Sequence, residues 1–274
     1  MDDKFQRIAP LFIVAIWICS GLLYSNGLWT PLHTGWLLAT HLICLLVFRN
    51  IVMVFSYGYA LSCLGYGTFL LLQAKQPLAQ LLALLCAVYG ARLALFTWRR
   101  NRANSFASRM EQIDAASRRA PMFVKIILYV MTSWLFFNHA QSAYLVVSHG
   151  ASGGLMVGAV VLMAVGLLVE GIADWQKQQC KSQQANTFCH RGLYKRIRHP
   201  NYSGEILFQI GLLLAINATG ATLLLTISAS IAPCYIALLM VFQAARHDQQ
   251  QLEKYGNDGV YQHWRSRSGA LLPF

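Results

Sequence analysis

The segment with the densest set of chemically useful side chains runs from Arg191 to Glu205 and leads directly into an apolar stretch. Pro200 disfavours helical geometry at His199, so we expect a helix to begin there, with Asn201 as a capping side chain. The first eight residues of the segment carry four cations, and cations at a helix start can bind an anion. A basic membrane anchor would explain the charge but not the ordered His-Pro-Asn-Tyr-x-Gly-Glu, which indicates a binding site.

Two acidic residues, Glu170 and Asp174, lie four positions apart at the end of the sixth apolar stretch and share a helix face. Carboxylates repel each other in that arrangement and are favoured at the other end of a helix. They are explained if they meet cations from the 191–198 segment or hydrogen-bond a ligand. They are equally explained by structural ion pairs with Lys177 or Lys181, and the sequence leaves these alternatives open.

Arg92 lies inside the fourth apolar stretch, and Tyr89 precedes it by nearly one helical turn. A tyrosine hydroxyl deep in a helical bundle can polarise or protonate a substrate carbonyl. The alternative for Tyr89 is a packed aromatic, and the alternative for Arg92 is a side chain that snorkels to the membrane surface.

A patch of polar side chains occurs late in the fifth apolar stretch, at Asn138, His139, Gln141 and Ser142. Such a patch can line a cavity or hydrogen-bond neighbouring helices, and we expect the second role.

Composition indicates how these residues are positioned. The chain is 56% hydrophobic and 12% charged, whereas soluble domains carry about 25% charged residues. Its apolar stretches are long enough to cross a bilayer, and we place them at 8–25, 33–48, 51–73, 78–98, 122–148, 154–173, 204–216 and 220–244. The predicted fold is an all-α polytopic membrane bundle of seven or eight transmembrane helices, because the last two stretches can form one bent hairpin split at 217–220.

The net charge of +12 is concentrated in the loop 99–120, the loop 174–203 and the tail after Ala245. These segments follow the fourth, sixth and eighth stretches, so they lie on one side of the membrane. The positive-inside rule places that side, with both termini, in the cytosol, at the inner membrane if the protein is bacterial. This placement favours contact with membrane lipids or a phosphate-bearing cofactor and argues against nucleic acid.

The seven cysteines are scattered, with no CxxC pair and no metal-ligand spacing. We therefore predict reduced, mostly structural thiols and no metal site.

Taken together, these motifs resemble those of the steroid 5α-reductase superfamily, most closely those of its uncharacterised bacterial branch. The matching elements are Gly192-Leu193-Tyr194, Arg198-His199-Pro200-Asn201-Tyr202-x-Gly204-Glu205, Ala173-Asp174-Trp175-Gln176-Lys177, Tyr89-Gly90-Ala91-Arg92 and Lys254-Tyr255-Gly256 with Ala270-Leu271-Leu272-Pro273-Phe274. The resemblance is good over residues 80–274 and loose before them. It divides the chain into N-terminal transmembrane helices (1–75) and a catalytic transmembrane domain (76–274) with a cytosolic cofactor site. The aromatic and apolar tail is expected to fold back and dock.

The resemblance implies a membrane reductase that binds NADPH and takes a lipid-like substrate from the bilayer. It gives Tyr89 the role of polarising the carbonyl of a conjugated enone. It implies that the cofactor is bound by Arg92, Asp174, Lys181, Arg198, His199, Asn201, Tyr202, Glu205 and Arg246. In the steroid reductases that tyrosine is paired with a glutamate from an early span, and here no acid occurs between Ile8 and Trp98.

A second enzyme class shares part of this pattern. Isoprenylcysteine and phospholipid methyltransferases, which use S-adenosylmethionine, resemble the Arg-His-Pro-x-Tyr-x-Gly element and the bent hairpin. Asn201 and Glu205 favour the reductase, as does the lack of paired glutamates in the segment after Arg246. A non-catalytic lipid-binding or scaffold protein is the third interpretation. The substrate and the oligomeric state cannot be predicted from the sequence.

Overall fold

The computed structural model describes residues 3–48, 50–184 and 186–273. These residues are 84% helical and form no strand. Six helices are long and apolar enough to cross a membrane: Arg7–Ser25, Val54–Gln73, Pro77–Arg102, Met122–His149, Gly154–Gln183 and Leu223–Tyr255. The predicted all-α polytopic membrane bundle is confirmed. Arg49, which the charge count includes, lies outside the described residues.

The described residues form eleven α-helices, nine of which fall on the predicted apolar stretches. They are α1 (Asp3–Ser25), α2 (Pro31–Leu46), α3 (Ile51–Met53), α4 (Tyr59–Gln73), α5 (Pro77–Arg102), α6 (Ala107–Arg119), α7 (Met122–His149), α8 (Gly154–Gln183), α9 (Pro200–Ala218), α10 (Leu223–Tyr255) and α11 (Gly259–Ser266). A π-helical turn, Val54–Gly58, joins α3 to α4. The shorter α2 and α9 correspond to the second and seventh predicted stretches, and the turn between α9 and α10 contains Gly220 at a positive φ of 62°.

Helices α8 and α10 extend well past the predicted ends of their apolar stretches, to Gln183 and Tyr255. Hydropathy locates the part of a helix that lies in the membrane, but the polar residues that follow are also helix formers and continue it. The added turns lie beside α11 and the segment between α8 and α9. Together these elements form what we call the basic end of the bundle.

Glycines bring two pairs of helices into very close contact. A Cβ on Gly204 of α9 would lie 2.6 Å from both the Glu170 nitrogen and the Gly166 oxygen of α8. A Cβ on Gly90 of α5 would lie 2.5 Å from the Ala60 oxygen of α4. Small residues at such crossings let helix backbones approach closely in membranes. The glycine of the His-Pro-Asn-Tyr-x-Gly-Glu motif is therefore a packing requirement.

The C-terminal tail folds back onto the basic end, as predicted. The Arg198 nitrogen donates to the Gly269 oxygen at 2.8 Å, so the chain before α9 pairs with the tail. The Trp264 indole donates to the Tyr194 oxygen at 2.7 Å. Phe274 lies outside the described residues.

The prediction of reduced thiols is wrong for two of the cysteines. Cys180 and Cys189 form a disulfide across nine positions of sequence, with Cα atoms 5.8 Å apart. The segment between α8 and α9 runs back along α8, which brings the two residues within bridging distance. The remaining cysteines are free, as predicted, and are Cys19, Cys44, Cys63, Cys86 and Cys234.

Candidate active site and cofactor cavity

Tyr89 is buried in the bundle and is hydrogen-bonded to a carboxylate. Its hydroxyl donates to Glu205 Oε2 at 2.6 Å, and its ring stacks on Phe208 with centroids 4.8 Å apart. Tyr89 is 2% exposed and Glu205 is 4% exposed. The early spans supply no acid, as the sequence indicated, but α9 supplies one. A short hydrogen bond between a phenol and a buried carboxyl group is suited to proton transfer.

Arg92 lies one turn from Tyr89 and is held by both acidic residues of α8. Its Nη1 donates to Asp174 Oδ2 at 2.8 Å, and its Nη2 lies 2.5 Å from Glu170 Oε1. The sequence left open whether these carboxylates pair with Lys177 or Lys181, meet cations of the 191–198 segment or hydrogen-bond a ligand. Their ion-pair partner in the structure is Arg92 of α5, which was not among those alternatives. The guanidinium of Arg92 therefore forms ion pairs with α8 and is not simply extended to the membrane surface.

Arg198 and His199 hold the chain before α9 against α10. Arg198 Nε and Nη2 donate to the Asp248 carboxylate at 3.0 Å and 2.7 Å, and Arg198 Nη1 donates to the Ser268 oxygen. His199 Nε2 lies 2.7 Å from Asp248 Oδ1. Burial lowers the pKa of His199, and the hydrogen bond to Asp248 opposes that shift. These two residues, which were predicted to bind the cofactor, thus tie the chain before α9 to α10, and Arg198 also binds the tail.

A cavity of about 230 Å³ opens in the basic end, between α8, α10 and the segment that joins α8 to α9. Its cationic lining comes from Lys177, Lys181, Arg198 and Lys254. The Lys181 ammonium group donates to the Thr187 oxygen, which fixes it at the wall. A cation-lined cavity of this kind favours a phosphate-bearing ligand.

Several buried polar atoms of the candidate site have no hydrogen-bond partner among the described residues, and one of them belongs to the cavity lining. They include Asn201 Oδ1, in the first turn of α9, and Tyr194 Oη, at the cavity wall. Glu170 Oε2 and Arg92 Nε are likewise without a partner in the described part of the chain. Burial raises the pKa of Tyr194, so its hydroxyl remains a donor. Because a buried polar group without a partner is costly, this set fits a ligand that supplies the missing hydrogen bonds.

The two remaining predicted cofactor residues lie at the edge of the site. Tyr202 stacks on His199 with centroids 5.6 Å apart and lies 6.0 Å from the His247 ring. Arg246 is half-buried on α10, next to His247.

Three side chains in the hydrogen-bond network of the candidate site were not singled out as site residues from the sequence. Gln209 donates to Glu205 Oε1 at 2.7 Å from one turn further along α9, and its four-residue spacing is a signal that could have found it. Asp248 binds Arg198 and His199 from a helix distant in sequence, for which no local signal exists. His139 was placed in a structural polar patch, yet its Nε2 lies 3.0 Å from Gln209 Oε1.

The rest of that patch does connect helices, as expected. Asn138 donates to the Ser228 oxygen of α10 at 2.9 Å, and Ser142 donates to the Ala229 oxygen at 2.5 Å.

Comparison with known proteins finds one family. A family model described as "protein of unknown function (DUF1295)" matches residues 42–268. No curated protein matches the sequence.

Proposed function

The chain belongs to the DUF1295 family, and from that premise we propose that it is a membrane-embedded, NADPH-dependent reductase of a carbon–carbon double bond. The substrate is a lipid or sterol-like enone, in which the double bond is conjugated to a carbonyl. The motifs that resemble the steroid 5α-reductase superfamily support this proposal, because residues 42–268 contain nearly all of them.

The buried Tyr89–Glu205 pair is the observation that carries the proposal. Reducing a conjugated enone requires a hydride at the β-carbon and a proton donor at the carbonyl oxygen. A tyrosine hydroxyl 2.6 Å from a carboxyl group can give its proton to that oxygen and regain one from the carboxyl group. The α-carbon then takes a proton as the enol returns to the ketone, so one hydride and one proton are added overall.

The basic end supplies the features that a nicotinamide cofactor needs. When bound, NADPH supplies the hydride. Lys177, Lys181 and Lys254 at the cavity wall suit its phosphates. Asn201 Oδ1 and Glu170 Oε2, which have no hydrogen-bond partner in the described part of the chain, would accept from amide and hydroxyl donors of the cofactor.

A binding titration tests this assignment. Detergent-solubilised protein is titrated with NADPH and, separately, with S-adenosylmethionine. We expect saturable NADPH binding that weakens in Lys254→Ala, because a charged hydrogen bond contributes about 1.5–3 kcal/mol. Lys195→Ala is the matched control, since Lys195 is exposed at the same end and lies outside the cavity lining.

The outcomes separate the alternatives. Binding of S-adenosylmethionine alone would replace the reductase with a methyltransferase. Binding of neither nucleotide would favour a lipid-binding or scaffold role. Equal weakening in Lys254→Ala and Lys195→Ala would show that the nucleotide is attracted by general charge and does not occupy the cavity.

We infer from the charge distribution that the basic end and both termini face the cytosol, where NADPH is supplied. A membrane-impermeant thiol reagent tests this with a cysteine introduced at Lys195. Labelling from the non-cytosolic side would contradict both the orientation and the proposed source of the cofactor.

A further inference from the structure

A chain of hydrogen bonds continues from Tyr89 through four helices into the middle of the bundle. Beyond Glu205, Gln209 Nε2 donates to Glu205 Oε1 at 2.7 Å. His139 Nε2 lies 3.0 Å from Gln209 Oε1, and the Tyr66 hydroxyl lies 2.7 Å from His139 Nδ1. None of these five side chains is more than 4% exposed, so water is kept away from the chain.

We propose that His139 and Gln209 are positioning residues that place the proton of Glu205 on Oε2, the oxygen that faces Tyr89. This inference rests on the proposed function, in which Glu205 returns a proton to Tyr89. The role is indirect, because neither His139 nor Gln209 touches the reacting atoms.

The donors and acceptors along the chain carry the inference. An amide nitrogen can only donate, so Gln209 Nε2 forces Glu205 Oε1 to be an acceptor. A proton on Glu205 then has only Oε2 available, where it is donated to the Tyr89 oxygen across the same 2.6 Å contact. In this protonation state Tyr89 accepts from Glu205, and its own proton is available to a substrate oxygen. The Gln209 amide nitrogen faces Glu205 if the amide oxygen, Oε1, accepts a hydrogen bond from His139 Nε2–H. The imidazole proton is then on Nε2, so His139 Nδ1 is free to accept a hydrogen bond from the Tyr66 hydroxyl.

The opposite arrangement is also self-consistent but is weaker. With the Gln209 amide turned over, His139 would carry its proton on Nδ1 and donate to the Tyr66 oxygen. The Glu205 proton would then lie on Oε1, directed away from Tyr89. The Tyr66 hydroxyl would be left to the Cys63 sulfur at 3.4 Å, and sulfur is a weak acceptor. The arrangement that serves Tyr89 is favoured because it gives the Tyr66 hydroxyl proton an imidazole nitrogen at 2.7 Å in place of a sulfur at 3.4 Å.

Tyr59 contacts two members of the same hydrogen-bond chain, Gln209 and His139. Its hydroxyl accepts the second amide proton of Gln209 at 3.1 Å and lies 3.2 Å from His139 Nε2. Its ring contacts Tyr89 edge-on with centroids 5.6 Å apart. Both protons of the Gln209 amide group are thus used in the favoured arrangement.

Among the described side chains, the one cation near Glu205 is already outnumbered by carboxylates without it. Arg92 on α5 pairs with Glu170 and Asp174 on α8, and all three lie close enough to act on Glu205 electrostatically. The cation is thus matched by two carboxylates before Glu205 is counted. A protonated Glu205 avoids adding a further buried negative charge beside them.

Infrared spectroscopy of the full-length protein in detergent tests the inference without relying on activity. The carbonyl stretch of protonated Glu205 is assigned by its disappearance in Glu205→Gln. We expect this band at neutral pH, and we expect it to move to higher wavenumber in Gln209→Leu, because the carbonyl oxygen loses its donor. His139→Phe and Tyr66→Phe should move it in the same direction by less.

Gln141→Leu is the matched control, because Gln141 is a buried glutamine of α7 that donates to Ser228 Oγ at 3.1 Å and should leave the band in place. If His139→Phe does not fold, Tyr66→Phe still tests the role of His139, because it removes only the hydroxyl oxygen that contacts His139 Nδ1. An absent band in wild-type protein, or a band unmoved by Gln209→Leu, would overturn the inference. Failure to bind NADPH with the band shifts intact would overturn the proposed function and leave the positioning of the Glu205 proton standing.

Discussion

Replacing Gly204 by alanine tests how closely α8 and α9 must approach for the site to exist. The added Cβ would lie 2.6 Å from the Glu170 nitrogen and 2.6 Å from the Gly166 oxygen. Both atoms belong to the backbone of α8, so no side-chain rotation relieves the contact. Because non-bonded heavy atoms prefer separations of about 3.5–4 Å, the two helices must move apart by about 1 Å.

This displacement has an energetic and a chemical consequence. Overpacking of this kind costs about 1–3 kcal/mol of the free energy of unfolding. Glu205 follows Gly204 directly, so its hydrogen bond to Tyr89, 2.6 Å long in the wild-type protein, would lengthen past useful range. We therefore expect Gly204→Ala to lower stability and to abolish enone reduction.

Thermal unfolding in detergent measures the first effect. For a chain of this size, a loss of 1–3 kcal/mol lowers Tm by several degrees, at about 2–4 °C per kcal/mol. Gly158→Ala is the matched control, because a Cβ on Gly158, also on α8, meets no atom within 4 Å. A Gly204→Ala protein with the same Tm as Gly158→Ala would refute the close crossing and the geometry built on it.

Two other substitutions test the remaining ion pairs. Arg92→Leu should lower the free energy of unfolding by about 3–5 kcal/mol, since it leaves two buried carboxylates without their cation. Adding Glu170→Gln and Asp174→Asn should restore much of that loss in thermal unfolding, and a triple variant as unstable as Arg92→Leu would contradict the pairing. Asp248→Ala should release the tail, seen as faster proteolytic cleavage after residue 255 with the transmembrane bundle intact; unchanged cleavage would show that backbone pairing alone holds the tail.

Sequence reasoning located the helices because a bilayer imposes a simple rule on composition. A membrane-spanning helix must be apolar over about 20 residues, so α5, α7 and α8 could be placed from their residues alone. The rule applies only inside the membrane. It therefore did not predict α6, or the polar turns that extend α8 and α10, where ordinary helix propensity and packing set the ends.

Individual candidate site residues could also be identified from the sequence, but their hydrogen-bond and ion-pair partners could not. Tyr89 and Glu205 are 116 positions apart, and Arg198 and Asp248 are 50 apart. Charge and residue type identify a group that needs a partner without saying which of several distant groups provides it. For this reason the sequence left the partner of Glu170 and Asp174 open, and the structure supplies Arg92 from α5.

Local side-chain chemistry and hydropathy were thus enough to predict a helical membrane protein with a polar site near one end. Two glycine crossings, at Gly90 and Gly204, set how closely the helices that carry Tyr89 and Glu205 approach α4 and α8. Such a distance is a property of packed surfaces from several helices. It arises when the chain folds, because the energy of a crossing depends on atoms far apart in sequence.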